Sequence, residues 1–263
     1  MNRLSRISVI SACALALALT LSACSGEDEE AAAQAAREAR LAELEQQKEA
    51  LDAARAELAG VEERLAQAAA GEAGDADPAA LRSEIQTQDA EITTAAEDLN
   101  AALTNFINEL AQEAAIGPGE PMPEAMQRAI ALKAEEDMTL AREFITEGGD
   151  YARAIDMYEA ILLYDPENQR VQDAIAEAEA MRYMDEERFS QVKNGMTQAE
   201  VEQLLGPVNV RNRREYPEQG LAAWYYPKSG ARDAAGVWFR QRGDRWEVYK
   251  VDYNAVSGQG DEG

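Results

Sequence analysis

Few residues of this chain could carry catalytic or metal chemistry. The sequence has two cysteines, Cys13 and Cys24, and it has no histidine, so the commonest general base and metal ligand is missing. It has no glycine-rich phosphate loop, and its many paired carboxylates fall on segments that read as exposed helices, where they form solvated faces. We therefore expect no enzymatic activity, no cofactor and no metal site.

The first 23 residues have the layout of an export signal. Two arginines, at positions 3 and 6, precede an apolar run from Ile7 to about Thr20. This run is too short to cross a bilayer, because a membrane span needs about 20 apolar residues. The beginning of the chain is therefore interpreted as a targeting segment.

The apolar run ends in the sequence Leu-Ser-Ala-Cys at positions 21–24. This resembles the lipobox of bacterial lipoproteins, in which small residues precede a cysteine that receives lipid, palmitate included, and becomes the mature N-terminus. The resemblance implies cleavage before Cys24 and a lipid anchor on its thiol; two or more acyl chains hold a protein stably on a membrane. Ser25, at the second mature position, favours the outer membrane. The alternative is an ordinary cleaved signal with a chance cysteine.

Removal of the first 23 residues leaves a very acidic chain. Two arginines leave with this segment, so the net charge falls from −25 to −27. Such a charge excludes non-specific nucleic-acid binding. Cys24 is then the last cysteine, so no internal disulfide and no cysteine metal site can form.

Two long segments have the heptad spacing of a coiled-coil seam, and a Gly/Asp/Pro-rich break at 71–78 separates them. Apolar residues recur every seven positions at Leu44, Leu51, Leu58 and Leu65, and again at Ile85, Ile92, Leu99 and Phe106. Two such helices around a short break predict an antiparallel hairpin. The alternative is a parallel homo-oligomer through the first helix, and the segment could equally serve as a structural spacer.

After a Gly/Pro-rich linker at 116–123, the chain contains a helix–turn–helix pattern that ends at Asp165-Pro166. It resembles one tetratricopeptide repeat, with glycine, aromatic, small, aromatic and proline positions matched by Gly149, Tyr151, Ala154, Tyr158 and Pro166. A small residue lets two antiparallel helices approach, and the aromatics fill the space beside it. We expect an initial helix through about Asp137 that leads into a further helical stretch.

The composition changes again at Phe189. Residues 189–253 contain all three tryptophans and 10 of the 16 aromatic residues, and their net charge is near +2. Thr197 and Glu200 form a capping box, and alternating strands follow from Val208, with the last one ending at Tyr253. The pattern predicts two helices followed by an antiparallel sheet of three or four strands.

This part of the chain resembles the SmpA/OmlA (BamE-like) family of small outer-membrane lipoprotein domains. The resemblance rests on the segment VKNGMTQAEVEQLLG, on a Trp-x-Tyr strand at 224–226 and on a Val-x-Phe strand at 237–239. It covers about 65 residues. Members of the family assist the insertion of β-barrels into the outer membrane, and some contact anionic lipid, so the resemblance implies such a role here.

Strand alternation divides the aromatic residues between two faces. Trp224, Tyr226, Val237 and Phe239 are expected in the core, whereas Tyr225, Trp238 and Arg240 lie on the opposite face. Arginines that we expect to be neighbours complete a candidate contact surface for an acidic partner, either anionic lipid or protein. They are Arg211, Arg213, Arg214, Arg242 and Arg245.

Together these patterns predict a multi-domain fold: an α-helical coiled-coil hairpin, an α–α TPR-like repeat and a small α+β domain. The predicted segments are a signal peptide (1–23), an acidic tether (24–30), the hairpin (31–115), a linker (116–123), the TPR-like module (124–188), the BamE-like domain (189–253) and a disordered tail (254–263).

The predicted function is that of a non-enzymatic adaptor, lipid-anchored in the outer membrane and facing the periplasm. It would bind envelope proteins, in barrel-protein assembly or in envelope integrity. The alternatives are a coiled-coil/TPR coordinator of cell-wall or envelope complexes and a structural spacer.

Overall fold

The computed structural model describes residues 26–70, 77–114 and 122–257. A long helical part is followed by a four-stranded antiparallel sheet, so the expected fold class is confirmed as mostly helical with a small C-terminal α+β part. The predicted signal peptide, Cys24, most of the break at 71–78, most of the linker at 116–123 and residues 258–263 of the predicted tail lie outside the described residues.

The first two helices are α1 (Gly26–Ala69) and α2 (Pro78–Ala114). The acidic segment predicted as a tether therefore belongs almost entirely to α1, because carboxylates are favourable at the positive end of a helix and the alanine-rich sequence continues it. Pro78 opens α2 at a position where its missing N–H costs nothing, and the Asp77 side chain accepts a hydrogen bond from the Ala79 N–H at 2.9 Å.

The two helices run antiparallel within one chain. Ion pairs join Arg37 to Glu113 at 2.8 Å near one end and Arg64 to Glu84 at 3.5 Å near the other. The apolar heptad residues face each other between these pairs, and those nearest the α1–α2 connection are less completely covered. Leu44 and Leu51 are buried, while Leu58 and Leu65 are only partly buried.

The third helix, α3 (Glu124–Thr146), packs on both α1 and α2. The sequence predicted a helix through Asp137 followed by a separate helical stretch, whereas the structure has one uninterrupted helix, since nothing between them breaks the backbone ladder. Its first half contributes to the core of the three-helix bundle and its second half to the next core. We call α1, α2 and α3 together the arm.

A buried ion cluster lies where α3 passes from one core to the other. The Glu136 side chain is 3% exposed, and its carboxylate lies 3.2 Å from the Lys48 ammonium and 3.0 Å from the Arg55 guanidinium. Burial opposes the charge of Lys48, but hydrogen bonds to Asp52 and Glu136 and their charges outweigh it and raise the pKa of Lys48. The cluster therefore neutralises charges that would be costly alone.

Two shorter helices, α4 (Tyr151–Leu162) and α5 (Gln169–Arg182), continue from α3 as successive antiparallel neighbours. Ala154 has no exposed surface, and it lies in one core with the aromatic residues of the repeat pattern. The Asp150 side chain caps α4 by accepting a hydrogen bond from the Arg153 N–H at 3.3 Å.

The C-terminal domain, which we call the head, contains α6 (Glu186–Phe189), α7 (Gln198–Leu205) and four strands. The strands are β1 (Arg213–Tyr216), β2 (Leu221–Pro227), β3 (Ala234–Arg242) and β4 (Arg245–Val256), in the spatial order β1-β2-β3-β4. The predicted capping box of Thr197 and Glu200 is present at the start of α7.

Three predicted boundaries in the head are wrong. The first strand was expected from Val208, but the Asn209 side chain accepts the Arg211 N–H at 3.0 Å and holds a short 3-10 turn ahead of β1. The last strand continues to Val256, since it stays paired with the start of β3. The domain also begins before residue 189, because Met184 is buried in the head core.

The head contacts the α3–α4 turn at backbone distance. Gly149 has φ +59°, and a Cβ there would lie 2.5 Å from the Asn209 nitrogen and the Val208 carbonyl carbon. The Val210 N–H donates to the Gly148 carbonyl at 3.2 Å. Only glycine permits both this conformation and this approach, so Gly149 fixes where the head rests.

The buried ion cluster leads to a stability prediction. Glu136→Ala leaves Lys48 and Arg55 without their shared partner, so we expect the free energy of unfolding to fall by about 3–5 kcal/mol. Urea denaturation of residues 24–263 carrying Cys24→Ser measures it. The matched control is Glu135→Ala, an exposed neighbour on the same helix, with an expected change within about 0.5 kcal/mol. Equal losses in the two variants would contradict a structural role for the cluster.

Candidate functional site

The sheet of the head has one face against the helices and one face turned outward. The inner face holds Trp224, Tyr226, Val237 and Phe239, all buried as the alternation predicted. The Trp224 and Phe239 rings pack with centroids 4.7 Å apart. These aromatic residues form the core and are not available to a ligand.

The opposite face of the sheet carries aromatic rings covered by cations. Tyr225 and Trp238 meet edge to face with centroids 6.0 Å apart, and the Lys250 ammonium lies 4.2 Å from the Trp238 ring centroid. The Arg240 guanidinium lies 4.7 Å from the Tyr249 ring centroid. We call these five residues the outer sheet face; such contacts hold each cation over the negative face of a ring.

The structure brings together the three residues predicted for this face and adds two that the sequence did not indicate. Strict alternation along β4 places Lys250 on the same side as buried Val248. A β-bulge changes this: Trp238 is opposite Lys250, but the next residue, Phe239, is opposite Val248. Both Tyr249 and Lys250 therefore contact residues of the outer face, and a bulge has no reliable signature in a single sequence.

Gly236 makes room for the Trp238 ring on this face. A Cβ at position 236 would lie 2.6 Å from Cη2 of Trp238 and 2.8 Å from the Cβ of Ala255. Glycine therefore allows the indole to lie over the backbone of its own strand.

The predicted arginines do not form one patch. Arg213 was expected at the contact surface, but its side chain turns to the helix side. There it lies 3.4 Å from the Glu202 carboxylate, donates to the Val208 carbonyl at 3.3 Å and covers the Trp224 ring at 5.1 Å. The prediction for Arg213 is therefore wrong, because it is the first residue of β1 and shares the inward side of its partner Trp224.

The other predicted arginines fall into two groups separated by β2. Arg211 and Arg214 are exposed at the start of β1, where Arg214 donates to the Arg211 carbonyl at 2.7 Å. Arg242 and Arg245 face each other at the β3–β4 turn, near Arg240, and Arg242 lies 3.7 Å from Glu247. Among the described residues, the ion pairs that these predicted arginines form stay within the head.

A cleft of about 410 Å³ lies where the head meets α4 and α5. Tyr151 and Tyr226 line it, and burial raises the pKa of both phenols, so they stay neutral. Across the described ranges, no three His, Cys, Asp or Glu side chains are arranged to hold a metal ion. No helix within these ranges is both long and apolar enough to cross a membrane.

Comparison with known proteins does not add a relative. The chain matches no protein-family model, and neither the curated proteins nor the solved structures contain a significant match to it. The functional interpretation therefore depends on the residues and the geometry described above.

The position of Trp238 can be tested through Gly236. In Gly236→Ala the new methyl group overlaps the indole, so we expect the free energy of unfolding to fall by about 1–3 kcal/mol and the tryptophan emission to shift as the ring moves. The control is Gly230→Ala, whose Cβ would meet only the Tyr183 hydroxyl at 3.5 Å, an ordinary contact. Unchanged stability and emission in Gly236→Ala would show that the ring does not lie over this glycine.

Proposed function

We propose that the protein is a lipid-anchored adaptor of the bacterial outer membrane, facing the periplasm and acting without catalysis. The observation that carries the proposal is the Leu-Ser-Ala-Cys run at 21–24, followed two residues after Cys24 by the start of α1. A lipidated Cys24 would attach the membrane almost directly to a long helical arm.

The geometry of the arm supports a spacing role. Arg128 of α3 contacts both Glu38 and Glu45, so α3 begins about 12 residues along α1 and runs in the same direction. The 23 residues of α3 add roughly 34 Å to the roughly 18 Å of α1 that precedes it, at 1.5 Å per residue. The head would thus be held roughly 50 Å from the attachment point.

The composition of the head supports a binding role. The acidic arm and the mildly basic head differ in sign, and the outer sheet face presents rings and cations without a covering element of this chain. Together with the SmpA/OmlA resemblance, this favours a partner that is acidic, either an anionic lipid surface or an acidic envelope protein, in barrel-protein assembly or envelope integrity.

The lipid anchor leads to a fractionation prediction. Cys24→Ala removes the thiol that would carry the lipid, so we expect an unlipidated, longer precursor in place of the mature form. Cys13→Ala is the matched control and should mature normally. Gel mobility and membrane fractionation of intact cells measure both. Mature Cys24→Ala protein that still sediments with membranes would exclude this thiol as the anchor.

The outer sheet face leads to a binding prediction. Residues 24–263 with Cys24→Ser should bind phosphatidylglycerol vesicles weakly at low salt, and binding should fall above about 0.15 M salt, where charges beyond about 8 Å are screened. Arg240→Glu with Lys250→Glu should abolish it. Arg232→Glu, an exposed arginine of the β2–β3 loop, should retain most of it. Equal vesicle binding by all three proteins would contradict a role for this face.

The identity of the protein partner requires crosslinking in intact cells. A photoreactive residue at position 238 samples the outer sheet face. Capture of barrel-assembly subunits would support the proposed role, whereas capture of cell-wall enzymes would support the coordinator of envelope complexes that the coiled-coil and repeat patterns also suggest.

A further inference from the structure

A second surface lies on the arm, away from the outer sheet face. A groove of about 600 Å³ runs between the outer half of the α1–α2 pair and the end of α3, where α4 begins. Its volume is within the range of about 300–1,000 Å³ that is typical of ligand-binding clefts. The groove exists because α3 ends near Thr146, while α1 and α2 continue past it.

The floor of the groove is apolar. It is formed by side chains from three helices, and the exposed fraction of Leu140 is 38%, which is high for a leucine beside a core. The apolar lining residues are Leu58, Ile92, Ala96, Leu140 and Phe144. Along α2 the lining extends from Asp89 to Ala101, about 18 Å, which is enough for three turns of a helix lying in it.

The rim of the groove is acidic. Six carboxylates line it against two guanidinium groups. One of the two, Arg55, is already paired with Glu136, and the other, Arg153, stacks over the Phe144 ring at 3.9 Å. The acidic lining residues are Glu62, Asp89, Glu97, Glu136, Glu143 and Glu147.

Water is partly withheld from this rim. Burial raises the pKa of Glu143 although Arg55 is nearby, so its carboxylate is short of solvation and compensating charge. The Arg55 Nε is buried and has no hydrogen-bond partner among the described residues. Both groups would gain from a ligand that supplies cations and polar groups above an apolar floor.

We propose that this groove binds a basic amphipathic helix of a partner protein. An apolar stripe at helical spacing would lie on the floor, in the manner of other helix-in-groove complexes, and lysines or arginines beside it would meet the acidic rim. The rim repels anionic lipid and acidic protein, so this partner differs in charge from the one proposed for the outer sheet face. The inference deepens the adaptor proposal but does not depend on the lipid anchor.

The test uses residues 24–263 with Cys24→Ser and a fluorescent model helix of leucine and lysine. A second peptide replaces every lysine by glutamate. We expect anisotropy to report binding of the lysine peptide and none of the glutamate peptide. Leu140→Ser should weaken binding at least fivefold, and its circular dichroism should stay unchanged because the side chain is already partly exposed.

A matched pair of charge variants separates the groove from general attraction to an acidic chain. Glu62→Lys, Glu97→Lys and Glu147→Lys together change three rim carboxylates and should weaken binding at least tenfold. Glu57→Lys, Glu91→Lys and Glu135→Lys make the same change in net charge at exposed positions outside the groove and should weaken it less than threefold.

Equal loss in the two triple variants, or no loss in either, would overturn the proposal. Failure of this binding would leave the result of the Cys24→Ala fractionation untouched, so the groove and the anchored adaptor can fail separately.

Discussion

The architecture depends on the sharing of α3 between two cores. Ala129, in its first half, is buried between α1 and α2, and Ala141, in its second half, is buried against α4. Because one rigid helix serves both cores, the middle helices cannot rotate freely against the arm. Glu136 lies between these residues, and its two cationic partners on α1 fix α3 along that helix. Gly149 then fixes the head against the end of the same helix.

This arrangement separates two surfaces of opposite charge. The groove on the arm is acidic over an apolar floor, and the outer sheet face of the head carries cations over aromatic rings. Binding at one surface would not block the other by charge, since each repels the ligand that the other attracts. An adaptor needs two such independent sites, and a rigid arm keeps the distance between them constant.

Several sequence predictions agree with the structure because they depend on local rules. The heptad leucines, the capping box of α7 and the alternation that buries Trp224 each follow from the spacing of neighbouring residues. The errors arise where a distant or irregular contact decides. Arg213 turns inward because it is paired with Trp224, and Lys250 joins the outer sheet face because of a bulge.

The sequence by itself determined the exported, cysteine-anchored reading, the acidic balance, the helical and sheet parts and the aromatic residues of the head. It could do so because composition and periodicity are properties of contiguous residues. Only the tertiary structure decided that α3 is continuous, that Gly149 meets the backbone at Val208, and that a groove opens beside Leu140. These features arise from the lengths and contacts of elements far apart in the chain, which no local pattern encodes.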